Sequence, residues 1–144
     1  MADASFPGNC IKGIPNDSFL IDSRTVAPHL FHFKEEHARQ DGWLEQSVNW
    51  EDDDLAVEFT LDQTKESGER QFKGGVAVLS RCEIDRLNRR PAVNGILSYD
   101  RQPSRDNPYH GNILLRANVP KPTRKMVAAG LALAVSEVTL QTKV

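Results

Sequence analysis

An α+β fold, with a small sheet of about four or five strands covered by a short helix and a long apolar C-terminal helix, is the class this sequence predicts. Three observations predict it. Gly74-Gly75 opens Val76-Ala77-Val78-Leu79, an apolar run short enough to be a buried strand. Ser80 and Glu83 follow at capping-box spacing, so a short helix is expected over residues 81–89, stopped by Pro91. Finally, Val127, Leu131, Ala134, Val135 and Val138 recur at helical spacing, which predicts a helix capped by Thr123 and running to about residue 139. The 144 residues suit a single domain. A chain of this size buries roughly two thirds of its unfolded surface without needing disulfides or metal.

The remaining elements follow in chain order. Gly and Pro are too dense in the first 22 residues for a helix, so residues 10–15 and 19–21 are expected as short extended pieces. Residues 26–37 read as a loop or short helix, with Pro28 suited to a helical first turn. Leu44, Gln46, Val48 and Trp50 alternate with Glu45, Ser47 and Asn49, which predicts a half-buried strand although Gln46 is out of character. Residues 52–66 fit either element. Leu55, Val57, Phe59 and Leu61 alternate as in a strand, while Asp52-Asp53-Asp54 and Ser67-Gly68 frame a helix, and the framing favours the helix. Strands are therefore expected near residues 47–50, 75–79, 95–99 and 112–116, and the polar segment between the last two is long enough to suggest a functional loop.

Charge is distributed unevenly. Residues 1–72 carry 6 Lys and Arg against 15 Asp and Glu, whereas residues 73–144 carry 12 against 5. Such blocks mark either an acidic or basic partner or two halves that neutralise each other. No apolar run reaches the roughly 18 residues of a membrane span, and the first residues lack a signal-peptide pattern, so a cytoplasmic protein with no membrane contact is expected. Cys10 and Cys82 fit no disulfide framework, zinc motif or redox motif, and reduced thiols are the expectation.

Several residue groups could carry chemistry. His29 and His32 are one helical turn apart and could share a metal, but no His-Glu-x-x-His pattern or cysteine pair supports a site, so neither metal nor cofactor is expected. His110 or His32 could act as a general base, with Arg24 or Arg105 stabilising developing negative charge, yet no nucleophile or second base stands at a telling distance. Cys82, near a helix start, is placed where a dipole favours the thiolate, although most such cysteines are small core residues. Gly74-Gly75 precedes a strand, which excludes a phosphate loop, and the Asp52-Asp53-Asp54 run lacks calcium-loop spacing.

For binding, Arg86, Arg89 and Arg90 lie on and just beyond the short helix, and Arg105 and Tyr109 sit on the polar segment. Tyr99 and Tyr109 could stack nucleic-acid bases, but a pI near 6.1 favours an acidic protein surface as the partner over nucleic acid. From residue 74 to 134, a Gly-rich strand, a short helix, a strand, the Asn107-Pro108-Tyr109-His110-Gly111-Asn112 segment and an apolar helix follow in order. That succession resembles short uncharacterised bacterial proteins with an Asn-Pro-x-His segment. The resemblance implies a bacterial cytoplasmic protein and carries no activity with it. The functional expectation is a non-enzymatic accessory protein that binds another macromolecule, and the alternative is a small hydrolase or nuclease-like enzyme using His110 with an arginine.

Overall fold

The computed structural model describes residues 6–141. Its elements run β1 (Asn9–Ile14), β2 (Leu20–Asp22), β3 (Thr25–Val26), β4 (Trp43–Trp50), α1 (Ala56–Asp62) and β5 (Gly75–Ser80). They continue with α2 (Arg81–Asn88), β6 (Leu97–Arg101), β7 (His110–Arg116), α3 (Lys121–Leu133) and β8 (Val135–Thr139). Six strands form one antiparallel sheet in the order β6-β7-β4-β1-β5-β8, while β2 and β3 make a separate two-stranded ribbon. The class is α+β, as expected, with a larger sheet. The additional strands are β1 and β8, and all four expected strands are present, most of them longer than predicted.

Alternation decides which face each strand buries. Leu44, Gln46, Val48 and Trp50 of β4 turn to the same side as Cys10, Ala77, Leu79, Ile113 and Leu115, where α2, α3 and the 3-10 turn Pro28–Phe31 cover them. Gln46 belongs there because its Nε2 donates to the Phe31 carbonyl at 2.9 Å, which satisfies one half of a buried amide. The other face is covered by α1, whose Ala56 joins Ile11, Val76 and Val78 in a second apolar cluster. α1 is the helix favoured by its acidic start, with Asp53 Oδ1 accepting from the Leu55 amide at 2.9 Å. It ends at Asp62, short of Ser67-Gly68; Gly68, at φ +86°, instead turns a small hairpin that bridges Thr64 to Arg70.

α2 matches its expected span, with Ser80 Oγ accepting from the Glu83 amide at 3.4 Å. α3 does not. It begins at Lys121 behind Pro120 and is not capped by Thr123, and it ends at Leu133. Ala134 closes it and the chain enters β8, which pairs with β5 from Leu79↔Val135 to Val76↔Thr139. Val135, Val138 and Thr139 are β-branched and pack well on a pleated surface, so an available sheet edge outweighs the helical spacing. The expected long helix is thus a helix followed by an edge strand, and the polar segment between β6 and β7 shrinks to a hairpin connection over residues 102–109.

The β1 pairings set up the site described below. β1 pairs with β5 along its whole length, from Asn9↔Ser80 to Ile14↔Gly75, but with β4 only at Cys10↔Trp50 and Ile11↔Asn49. Beyond Ile11 the two strands part, and Lys12 Nζ donates to the Ser47 carbonyl at 3.2 Å across the gap. Among the described residues, no helix is long and apolar enough to cross a membrane.

Candidate functional site

The 3-10 turn Pro28–Phe31 packs on α3, because Leu30 and Phe31 enter the core that Val127 and Leu131 also fill. That anchor brings the segment after it against the start of α3. A cleft of about 580 Å³ opens there, lined by His32, Lys34, Glu35, Glu36, Lys121, Arg124 and Lys125. Lys121, Arg124 and Lys125 share one side of α3 through their three- and four-residue spacing. Four fixed cations thus meet two carboxylates, and His32 adds charge when protonated.

Arg124 is the structural centre of this cleft. It is only 7% exposed, and its Nη2 donates to Glu35 Oε1 at 3.0 Å while its Nε has no hydrogen-bond partner among the described residues. Glu35 itself is largely exposed, so water weakens its hold on the buried guanidinium. Pro120 offers no side chain to the first amides of α3, and the helix dipole places partial positive charge at the same point. Side chains and backbone therefore bias the cleft toward anions.

The three residues proposed for catalysis do not converge. Arg24 is exposed in the turn joining β2 to β3, where its amide bonds Asp22 Oδ1. His32 stands exposed between the buried rings of Phe31 and Phe33. His110 lies on β7 and lines a separate cavity of about 130 Å³ with Asn49, Gln63 and Asn107. There a chain of amides is already satisfied: Asn107 Nδ2 donates to Asn49 Oδ1, and Asn49 Nδ2 donates to Thr60 Oγ1 and Gln63 Oε1. Asn107-Pro108 indeed shapes a turn, with Asn107 Oδ1 accepting from the Tyr109 amide.

Among the residues proposed for binding, Tyr109 is nearly buried. Its ring packs against Phe59 at 5.2 Å, its hydroxyl donates to Asp53 at 2.9 Å, and that bond raises its pKa. The Tyr99 hydroxyl donates likewise to Asp85, and its ring packs against Phe6 and Trp50. Arg86 on α2 and Arg89 and Arg90 just beyond it are exposed, and Arg86 pairs with Glu83 of its own helix at 3.2 Å. Arg105 is exposed in the β6–β7 connection. The acidic run meets the basic half elsewhere, through Asp52 and Arg101, which form a two-pronged pair at 2.6 and 3.0 Å. Among the described residues, no group of three or more His, Cys, Asp or Glu side chains is placed to hold a metal ion.

The gap between β1 and β4 opens a further cavity, of about 210 Å³, whose lining includes Lys12, His29, His32, Lys34, His37 and Gln46 beside the apolar Phe19, Leu30 and Phe72. Burial lowers the Lys12 pKa to about 8, opposed in part by nearby Cys10 and reinforced by the charge of Lys34. The folded chain therefore binds this proton more weakly than the unfolded chain, whose lysine titrates near 10.5. The associated penalty is full below pH 8 and disappears as pH rises toward 10.5. Lys12→Met removes it, so the stability gap between variant and wild type should favour the variant at pH 7 and narrow by pH 10, as read from urea midpoints. Cys10 is fully buried with its pKa pushed up to about 12, an inert thiol, whereas Cys82 is exposed on α2.

Lys34, Lys121, Arg124 and Lys125 are visible in the sequence as charges, but nothing local in the sequence marks them as a site. The contact that makes them a cleft joins segments 89 residues apart, as in the Glu35–Arg124 pair. The chain matches no known family, and no curated protein or solved structure is similar to it.

Proposed function

We propose that this protein is a binding protein, without chemistry of its own, that docks an acidic segment of another protein in the cleft at the start of α3. The observation that carries this reading is the cleft's composition: Lys34, Lys121, Arg124 and Lys125 converge on one volume with Arg124 nearly buried beneath them. A buried guanidinium with an unpartnered Nε and an exposed counter-ion is under-satisfied, and an incoming carboxylate at its outer nitrogens improves its pairing. Open clefts with cationic rims favour extended acidic chains and raise their association rates. The exposed Arg86 on α2 and Arg89 and Arg90 just beyond it carry further positive charge outside the cleft.

An acidic peptide rich in Asp and Glu tests the reading by fluorescence anisotropy. Binding should weaken about tenfold between 50 and 300 mM salt, because exposed charges are screened over about 10 Å at 0.1 M. Lys121→Ala with Lys125→Ala should weaken it by a similar factor. Arg86, Arg89 and Arg90 changed together to Ala should slow association and leave the bound complex nearly as tight, at a cost to folding of about 0.5 kcal/mol or less each. A single-stranded DNA of equal charge binding more tightly than the peptide, or indifference to the Lys121 and Lys125 changes, would overturn the proposal.

A further inference from the structure

The outward face of α3 carries an inference that rests on the acidic-partner reading and extends it. Val127 and Leu131 point into the core and Arg124 toward Glu35, so the opposite side of the helix is left to solvent. That side is apolar. Pro122, Met126 and Leu133 are exposed on it, and the half-buried Ala129 lies between the last two. The four follow one another at intervals of four, three and four residues, which lines them up over about 16 Å of helix. Isolated exposed leucines are ordinary on a protein surface, whereas a continuous apolar stripe marks a docking face.

Two features of the stripe say what covers it. Its spacing is that of a seam between helices, in which each side chain enters a hole among four side chains of the facing helix. The short Ala129 side chain in the middle lets a second backbone come near. The occupant is thus a helix, and its charge follows from what borders the stripe. Lys125 is one turn from both Pro122 and Ala129, Lys121 is one turn before Lys125, and α3 carries three cations and no carboxylate. A second copy of α3 offers these lysines no counter-charge, whereas a helix with Asp and Glu beside its apolar residues meets each with its opposite. Lys121 and Lys125 also line the cleft at the start of α3, so the cleft and the stripe are continuous.

We propose that the acidic segment bound at the cleft continues as an amphipathic helix along α3, with its apolar seam on Met126, Ala129 and Leu133 and its carboxylates beside Lys121 and Lys125. The cleft takes the partner's charge and the stripe its apolar face. Affinity therefore depends on the order of the partner's residues as well as on their number.

Two fluorescent peptides test this against the intact protein by anisotropy. Both begin with the same acidic end and share one composition and net charge. One places its leucines at the spacing of the stripe; in the other they are shuffled so that no two share a helical face. The patterned peptide should bind about tenfold more tightly and gain helicity on binding, as read by circular dichroism. Met126→Gln with Leu133→Gln should remove that advantage and leave the shuffled peptide's affinity unchanged. Both positions are exposed, and if the double variant does not fold, Leu133→Gln alone should remove most of the advantage. Equal affinity of the two peptides, both still weakened by Lys121→Ala with Lys125→Ala, overturns the helix and leaves the cleft reading standing. Binding of neither peptide overturns both. Vesicles of phosphatidylserine and phosphatidylcholine that hold the protein through Leu133 while the two peptides bind alike give the stripe a different occupant and overturn the proposal. Self-association of the protein that is lost in Leu133→Gln does the same.

Discussion

A Leu131→Asp chain is expected to show no cooperative unfolding transition, while Leu133→Asp, two residues further along the same helix, should melt within about 0.5 kcal/mol of wild type. Leu131 is fully buried in the main core beside Val127 and Ala128, and Leu133 is 82% exposed. Removing a buried leucine costs about 2–5 kcal/mol, and an unpaired buried carboxylate adds several more. The sum reaches the whole stability of a typical domain, about 5–15 kcal/mol. Thermal unfolding followed by circular dichroism checks both variants. A Leu131→Asp protein that melts like wild type would mean that α3 does not pack on the sheet as described.

The second large effect is expected at Gly111. Trp50 reaches from β4 across β7 and donates its indole N–H to the Asp100 carbonyl on β6 at 2.9 Å, and Gly111 is the β7 residue it crosses. A Cβ on Gly111 would overlap both Trp50 Nε1 and the Asp100 oxygen. Gly111→Val therefore breaks this bond and displaces a fully buried indole, which should cost about 3–5 kcal/mol as overpacking adds to an unmade hydrogen bond. In a Trp43→Phe background Trp50 is the sole tryptophan, and its emission should move to longer wavelength as the ring meets water. Unchanged emission and an unchanged urea midpoint would refute the close crossing. The need for a bare Cα at Gly111 arises from Trp50, 61 positions earlier in the chain, which no local pattern in the sequence reveals.

Particular residues show where sequence reading succeeds and fails. Local chemistry was legible: Ser80 and Glu83 start α2, the acidic run starts α1, and period-two alternation outlines β4 despite Gln46. Gln46 looked misplaced because its partner is the Phe31 carbonyl, which no local pattern reveals. The end of α3 was illegible for a related reason. Ala134 keeps helical backbone angles and no Gly or Asn marks the stop, so only the edge of β5 decides that residues 135–139 become a strand. The candidate sites depended still more on long-range geometry. Histidines near in sequence, His29, His32 and His37, do line one cavity, but Lys12 and Gln46 join them only because β1 and β4 part after two residue pairs.

The position of β8 has a consequence during synthesis. It is translated after the other five strands of its sheet, yet it is the strand that shields the outer side of β5. A chain whose residues 135–139 have not docked would present Val76-Ala77-Val78-Leu79 as an open edge, apolar and without charge or proline. Such edges recruit other strands. Docking of β8, a five-residue strand, therefore removes an edge at which another chain could pair.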